Sequence, residues 1–123
     1  MPIEALLVED SPVIRENLIP VLQEFADVAV CATAETALDA LRLAQASSSW
    51  RLMVLDLFLK EGNGLMILEA LRRRRSGQVI CVLTNYATAA TRQRCESLGA
   101  DAVFDKSTEL ESFFDFCAAP PPG

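Results

Sequence analysis

The chain is expected to fold as an α/β protein, a parallel sheet covered by helices on both faces, and three observations lead there. Short apolar runs alternate five times with longer segments of helical period. Those runs are apolar on both faces, as strands of a parallel sheet are when helices cover each side, and right-handed crossovers would join them. At 123 residues, 51% of them hydrophobic, the chain can bury one real core and implies no second domain.

"IEALLV" (3–8) reads as the first buried strand. "SPVIRENLIPVLQEF" (11–25) follows as a helix with Ser11 at the N-cap, Pro12 at the first helical position and an apolar stripe of Ile14, Leu18, Val21, Leu22 and Phe25. Pro20 inside it should kink or break the helix, because it lacks a donor and its ring crowds the preceding turn. "DVAVCA" (27–32) is a strand, "AETALDALRLAQA" (34–46) a helix and "RLMVLD" (51–56) the third strand. Gly62-Asn63-Gly64 is a flexible entry, able to shift, into a helix over 65–75 that Gly77 stops. That helix closes on Arg72 to Arg75, cations suited to its negative end and read as a solvated terminus, with docking of an acidic partner as the functional alternative.

"QVICVLT" (78–84) is the fourth strand, and "NYATAATRQRCESLG" (85–99) the fourth helix. Ala87, Ala90 and Leu98 bury little area, so this should be the loosest helix. "ADAVFD" (100–105) is the last strand and "STELESFFDFC" (107–117) the last helix, where Thr108 and Glu111 have capping-box spacing. Phe113, Phe114 and Phe116 cannot all face one core, which leaves an exposed docking anchor or a packed edge with one stray aromatic. Residues 1–118 form the domain and 119–123 a Pro-rich tail that cannot continue the helix.

Seventeen acids against eleven bases, a formal −6, argue against direct nucleic-acid binding, which calls for a basic stripe. Cys31, Cys81, Cys95 and Cys117 show no C-x-x-C spacing and the chain has no histidine, so they read as reduced core thiols and not as zinc ligands. No apolar run approaches the roughly 18 residues of a membrane span, and the N-terminus lacks a signal-peptide pattern. A cytoplasmic protein is expected.

In such sheets ligands gather outside the carboxyl ends of the strands. There the chain places Glu9 and Asp10 after strand one, Asp56 after strand three, Thr84 after strand four and Asp105-Lys106 after strand five. Any one of these could be a helix cap. If Glu9, Asp10 and Asp56 converge, two carboxylates about 5 Å apart repel by about 3 kcal/mol at an effective dielectric near 20, and Lys106 alone leaves a surplus of about −2. A hard divalent cation would remove it, and Mg²⁺ suits a site of few carboxylates plus phosphate oxygens, with Mn²⁺ as a substitute. Lys106 and the Thr84 hydroxyl could hold two phosphate oxygens, and Asp56 is then the natural nucleophile for an aspartyl-phosphate.

This ordered constellation, with "GNGL" after Asp56, resembles the receiver domain of two-component response regulators from Ile3 to about Cys117. The resemblance implies a doubly wound, flavodoxin-like sheet of order 2-1-3-4-5. It implies Mg²⁺ on Glu9 or Asp10, Asp56 and the backbone carbonyl of Phe58, and phosphotransfer to Asp56 from a sensor histidine kinase or phosphotransfer protein. It implies a signalling phospho-acceptor, not an enzyme acting on external substrates, with output to a protein partner through the fourth helix, fifth strand and fifth helix. The protein would be a stand-alone receiver or one excised from a longer regulator.

Two positions depart from the family pattern. The aromatic residue that answers the Thr stands three before the Lys in the family, where this chain has Val103; Phe104 should point to the opposite face, and Tyr86 could take over the coupling. Ser107 replaces the usual Pro, so the Lys106-Ser107 bond is expected trans. A degenerate, non-phosphorylated receiver acting as an interaction module is therefore the alternative. A haloacid-dehalogenase-like phosphatase would need a second Asp where Phe58 stands, and a flavodoxin would need a phosphate cradle that "EDSPVIRE" does not offer.

Overall fold

The computed structural model describes residues 2–121. Its strands are β1 (Ile3–Val8), β2 (Val28–Ala34), β3 (Leu52–Leu55), β4 (Val79–Thr84) and β5 (Ala102–Asp105). The helices are α1 (Pro12–Phe25), α2 (Ala37–Ala46), α3 (Gly64–Ala70), α4 (Ala89–Ser97) and α5 (Leu110–Ala118). All pairings are parallel in the order β2-β1-β3-β4-β5, the doubly wound order the resemblance implies. The winding direction reverses between β1 and β3, so a crevice opens at their carboxyl ends.

Strand alternation divides the interior into two layers. Leu6, Val8, Met53, Leu55, Ile80 and Val82 face Ala37, Ala40, Ile67, Leu68 and Cys95 of α2, α3 and α4. Ala5, Leu7, Leu52, Val54, Cys81 and Leu83 face Leu18, Leu22, Phe113 and Cys117 of α1 and α5. Four helices start on side-chain caps: Ser11, as the sequence suggests, accepts the N–H of Ile14, and Thr36, Asn63 and Thr88 accept those of Asp39, Met66 and Thr91.

Several expectations are corrected. Helix α1 runs through Pro20 unbroken, because Pro20 and Glu16 lie on the exposed side, where water can take the carbonyl that loses its donor. Phe25 belongs to no core and is 70% exposed. Cys31 is exposed too: the β1–β2 register skips it, since Ala5 pairs with Val30 and Leu6 with Ala32, and β2 is an edge strand. The other three cysteines are buried free thiols.

Helix α3 stops at Ala70, short of the arginine run, and Arg74 is no solvated cation. Its guanidinium donates to the carbonyls of Leu71 (3.2 Å), Gln78 (2.7 Å) and Gly99 (2.8 Å) and to Asp101 Oδ2 (2.7 Å), so it supplies donors that the ended helix and the turn lack. Arg72, Arg73 and Arg75 are exposed. The capping box of Thr108 and Glu111 does not form: α5 begins at Leu110, and Asp105 Oδ1 instead accepts Ser107 N (2.7 Å) and Thr108 N (3.2 Å). Phe113 is buried and Phe114 and Phe116 are half-buried, so none of the three stands fully in water, and Phe114 shows its free side to a groove against α1. Of the tail, Pro122 and Gly123 lie outside the described residues.

Candidate functional site

Each predicted site residue leaves the sheet at its carboxyl edge. Backbone bonds set the positions: Glu9 N donates to Ala34 O (3.0 Å), Asp56 N to Val8 O (2.9 Å) and Lys106 N to Thr84 O (2.9 Å), so the residue after each strand is still held by its neighbour. Glu9, Asp10 and Asp56 each offer a carboxylate oxygen, and these atoms lie within 4.8 Å of one another. Glu9 and Asp56 are buried and Asp10 half-buried. Lys106 crosses to them: its Nζ is 2.6 Å from Glu9 Oε1 and 2.9 Å from Asp56 Oδ2.

The electrostatics show a site short of positive charge. Burial raises the Glu9 pKa above the ordinary carboxylate value, against the lowering effect of Lys106 and of the Ser11 N–H on Oε2. Burial works against the Lys106 charge too, but the hydrogen bonds it donates to Glu9 and Asp56 outweigh it and hold the ammonium above its usual pKa. Both shifts favour a proton where a cation could sit. Three hard oxygen donors around one ammonium fit a divalent ion such as Mg²⁺ or Mn²⁺ better than a soft metal.

The remaining predicted residues sit at the rim. Thr84 is fully buried, and its hydroxyl accepts Tyr86 N at 3.3 Å. Phe58 N lies 3.4 Å from Asp56 Oδ1, and its exposed ring meets that of Tyr86 edge-on at 4.8 Å. Gly64 lets the start of α3 pass close to the Asp56–Leu57 backbone, since a Cβ there would stand 2.7 Å from Asp56 O and 2.9 Å from Leu57 Cα. Val103 is buried on the α2–α3–α4 side, and Phe104 points the other way onto Phe113 and Phe116, as strand alternation requires. Lys106-Ser107 is trans, as are all peptide bonds among the described residues.

Sequence reasoning missed two arginines. Arg15 donates to Glu9 O (2.6 Å) and lies 3.3 Å from Glu35, which also pairs with Lys60 (3.3 Å). Arg92 donates to Val103 O (2.9 Å) and Ala87 O (3.0 Å) and pairs with Glu109, whose carboxylate also takes Asp105 N (3.0 Å). That pairing holds the Glu109 pKa low. Only the i+4 relation of Arg15 to Ser11, on the inward side of the first helical turn, hinted at either.

The family model for the response regulator receiver domain matches residues 5–116. Among curated proteins, the photosynthetic apparatus regulatory protein RegA of Rhodobacter capsulatus is 38% identical over 74 residues, 56% of this chain and 40% of that protein. The matched part thus spans less than half of the relative's length. A response regulator from Burkholderia pseudomallei, solved with a phosphorylated aspartic acid, a calcium ion and citrate, superposes with TM-score 0.78 at 30% identity, covering 90% of this chain and 64% of that one. The Mn²⁺-bound form of response regulator Rcp1 gives 0.73 at 22% identity, covering 95% and 90%. With the sheet order, the acidic cluster and the lysine from the fifth strand in place, the chain belongs to the response regulator receiver domain family.

Proposed function

We propose that Asp56 accepts a phosphoryl group from the phosphohistidine of a sensor kinase or phosphotransfer protein, in a reaction that depends on a divalent cation. The observation that carries this reading is the convergence of Glu9, Asp10 and Asp56 with the Lys106 ammonium. An Asp56 carboxylate oxygen attacks phosphorus, the P–N bond of the phosphohistidine breaks, and the imidazole leaves with the bonding electrons. Lys106 balances the charge gathering on the phosphoryl oxygens, and the Thr84 hydroxyl, on leaving Tyr86 N, donates to another. Glu9, Asp10, Asp56 and the Phe58 carbonyl would hold Mg²⁺, or Mn²⁺ in its place, which when bound supplies positive charge to the transferring group. The calcium and manganese in the two similar structures support a divalent ion here.

The chain would then catalyse only its own aspartyl phosphorylation and hydrolysis. Its conformational change would pass to a protein partner through α4, β5 and α5, with no direct contact to nucleic acid. This reading places the chain in the cytoplasm, where sensor kinases present their phosphohistidine; no helix among the described residues is long and apolar enough to cross a membrane. Val103 favours the second reading, a degenerate receiver, because the family's aromatic switch residue is missing there. The two readings part on one experiment. Incubation with acetyl phosphate and Mg²⁺ should add the mass of one phosphoryl group to the chain and none to Asp56→Asn; an unchanged parent mass with no divalent binding selects the degenerate receiver.

A further inference from the structure

Away from the carboxylate site, α1 and α5 leave a groove of about 540 Å³ between them. Val21, Phe25, Leu110, Phe114 and Ala118 form its apolar wall, with Phe25 70% and Leu110 39% exposed. Ser11 caps the end of α1 nearest the site and Phe25 closes the other, so fourteen residues at ~1.5 Å each put about 20 Å between them. The Phe25 end of the groove is therefore remote from the phosphoryl chemistry, while Leu110 at its near end also lines the hollow beside Lys106.

The outward face of α4 differs: Ala89, Ala90, Gln93, Arg94, Glu96 and Ser97 are exposed small or polar residues with little area to remove from water. Leu38 on α2 and Met66 on α3 are exposed as well, but the hollow they line is about 180 Å³, a third of the α1–α5 groove, and holds no aromatic side chain that association would desolvate.

Charge selects among occupants. Glu111 and Asp115 line the groove, and Glu16 and Glu24 are exposed on α1. No ion pair involves these four among the described residues. The one base on either helix, Arg15, is turned to Glu9 O and Glu35. A second copy docked face to face would set acid against acid, which disfavours self-association.

We infer that the α1–α5 groove docks a protein partner through an amphipathic helix whose apolar stripe covers Phe25, Leu110 and Phe114 and whose flanking lysines or arginines meet Glu111 and Asp115. The surface is open in the unphosphorylated chain. A helix lying between two helices is an established recognition mode, and the exposed Phe25 is its natural anchor.

The test is an NMR titration of the ¹⁵N-labelled chain with a synthetic Leu/Lys amphipathic helical peptide. Amide shifts should cluster at Val21, Phe25, Glu111, Phe114 and Asp115, and a Leu/Glu peptide of the same pattern should produce none. Phe25→Ser should weaken the Leu/Lys peptide about tenfold with thermal unfolding and phosphorylation by acetyl phosphate unchanged. Glu111→Lys with Asp115→Lys should reverse the preference to the Leu/Glu peptide. No binding, shifts centred on α4, equal binding of the two peptides, or a dimer in sedimentation equilibrium that Phe25→Ser abolishes would each overturn the inference. Because these readouts use the unphosphorylated chain, failure here leaves the phospho-acceptor reading standing, and the reverse.

Discussion

The two helical layers cover opposite faces of one sheet with different materials. On the α1–α5 side Leu18, Leu22, Phe113 and Cys117 are buried, and Phe104, Phe113, Phe114 and Phe116 form linked ring contacts at 5.1–6.1 Å. On the other side α4 buries only Cys95 and is held to the body largely by Arg92, through Val103 O and Glu109. A packed aromatic layer resists small displacements, because every shift forfeits contacts on all sides. A helix held by a few directional bonds can exchange one set of partners for another. The α4 side is thus the one equipped to answer a change at Asp56, and α1–α5 the rigid wall.

The contrast can be broken most directly at Phe113. Truncation to Ala should cost about 3–5 kcal/mol in urea denaturation, and a loss below 1 kcal/mol would show that the aromatic layer is not the rigid half. Arg74→Ala, which strips donors from three carbonyls and Asp101, should cost about 2–3 kcal/mol, showing that the opposite layer depends on polar clasps. Arg92→Ala should cost about 1 kcal/mol globally. Its hydrogen exchange should nevertheless quicken in α4 while α1 keeps its protection; equal loss in both helices would erase the distinction.

The smallest effect is pH-dependent. Glu9 must be ionised to bind a cation, and burial raises its pKa, so Mg²⁺ affinity measured by calorimetry should rise as pH climbs through that raised value. In the metal-free chain the sign is opposite: the raised acid stabilises the fold at low pH, and that contribution is lost as pH rises from the unfolded pKa through the folded one. Glu9→Gln should flatten both dependences. Beyond the first turn of α1, which adjoins Glu9 and Asp10, amide shifts on Mg²⁺ addition should be larger in α4 than in α1.

Much of the site was legible because strand ends are. A buried apolar run has to stop where it meets water, and an acid or lysine at three such stops with a threonine at a fourth marks one edge of one sheet. Gly64 was legible as a glycine but not as the residue whose missing Cβ lets the chain pass Asp56. Arg74 and Arg92 were opaque, since an arginine's identity says that it carries donors and nothing about which carbonyls will lack them.

By itself the sequence determined the element order, the parallel sheet and the five residues at its carboxyl edge, because hydrophobic period and strand termination are local properties. Tertiary structure alone decided that α3 ends at Ala70, that Arg74 is a clasp, that Cys31 bulges outward and that Phe25 stays in water. Those outcomes depend on which surfaces meet across tens of residues, and burial is settled by the partner a side chain finds as much as by its own polarity.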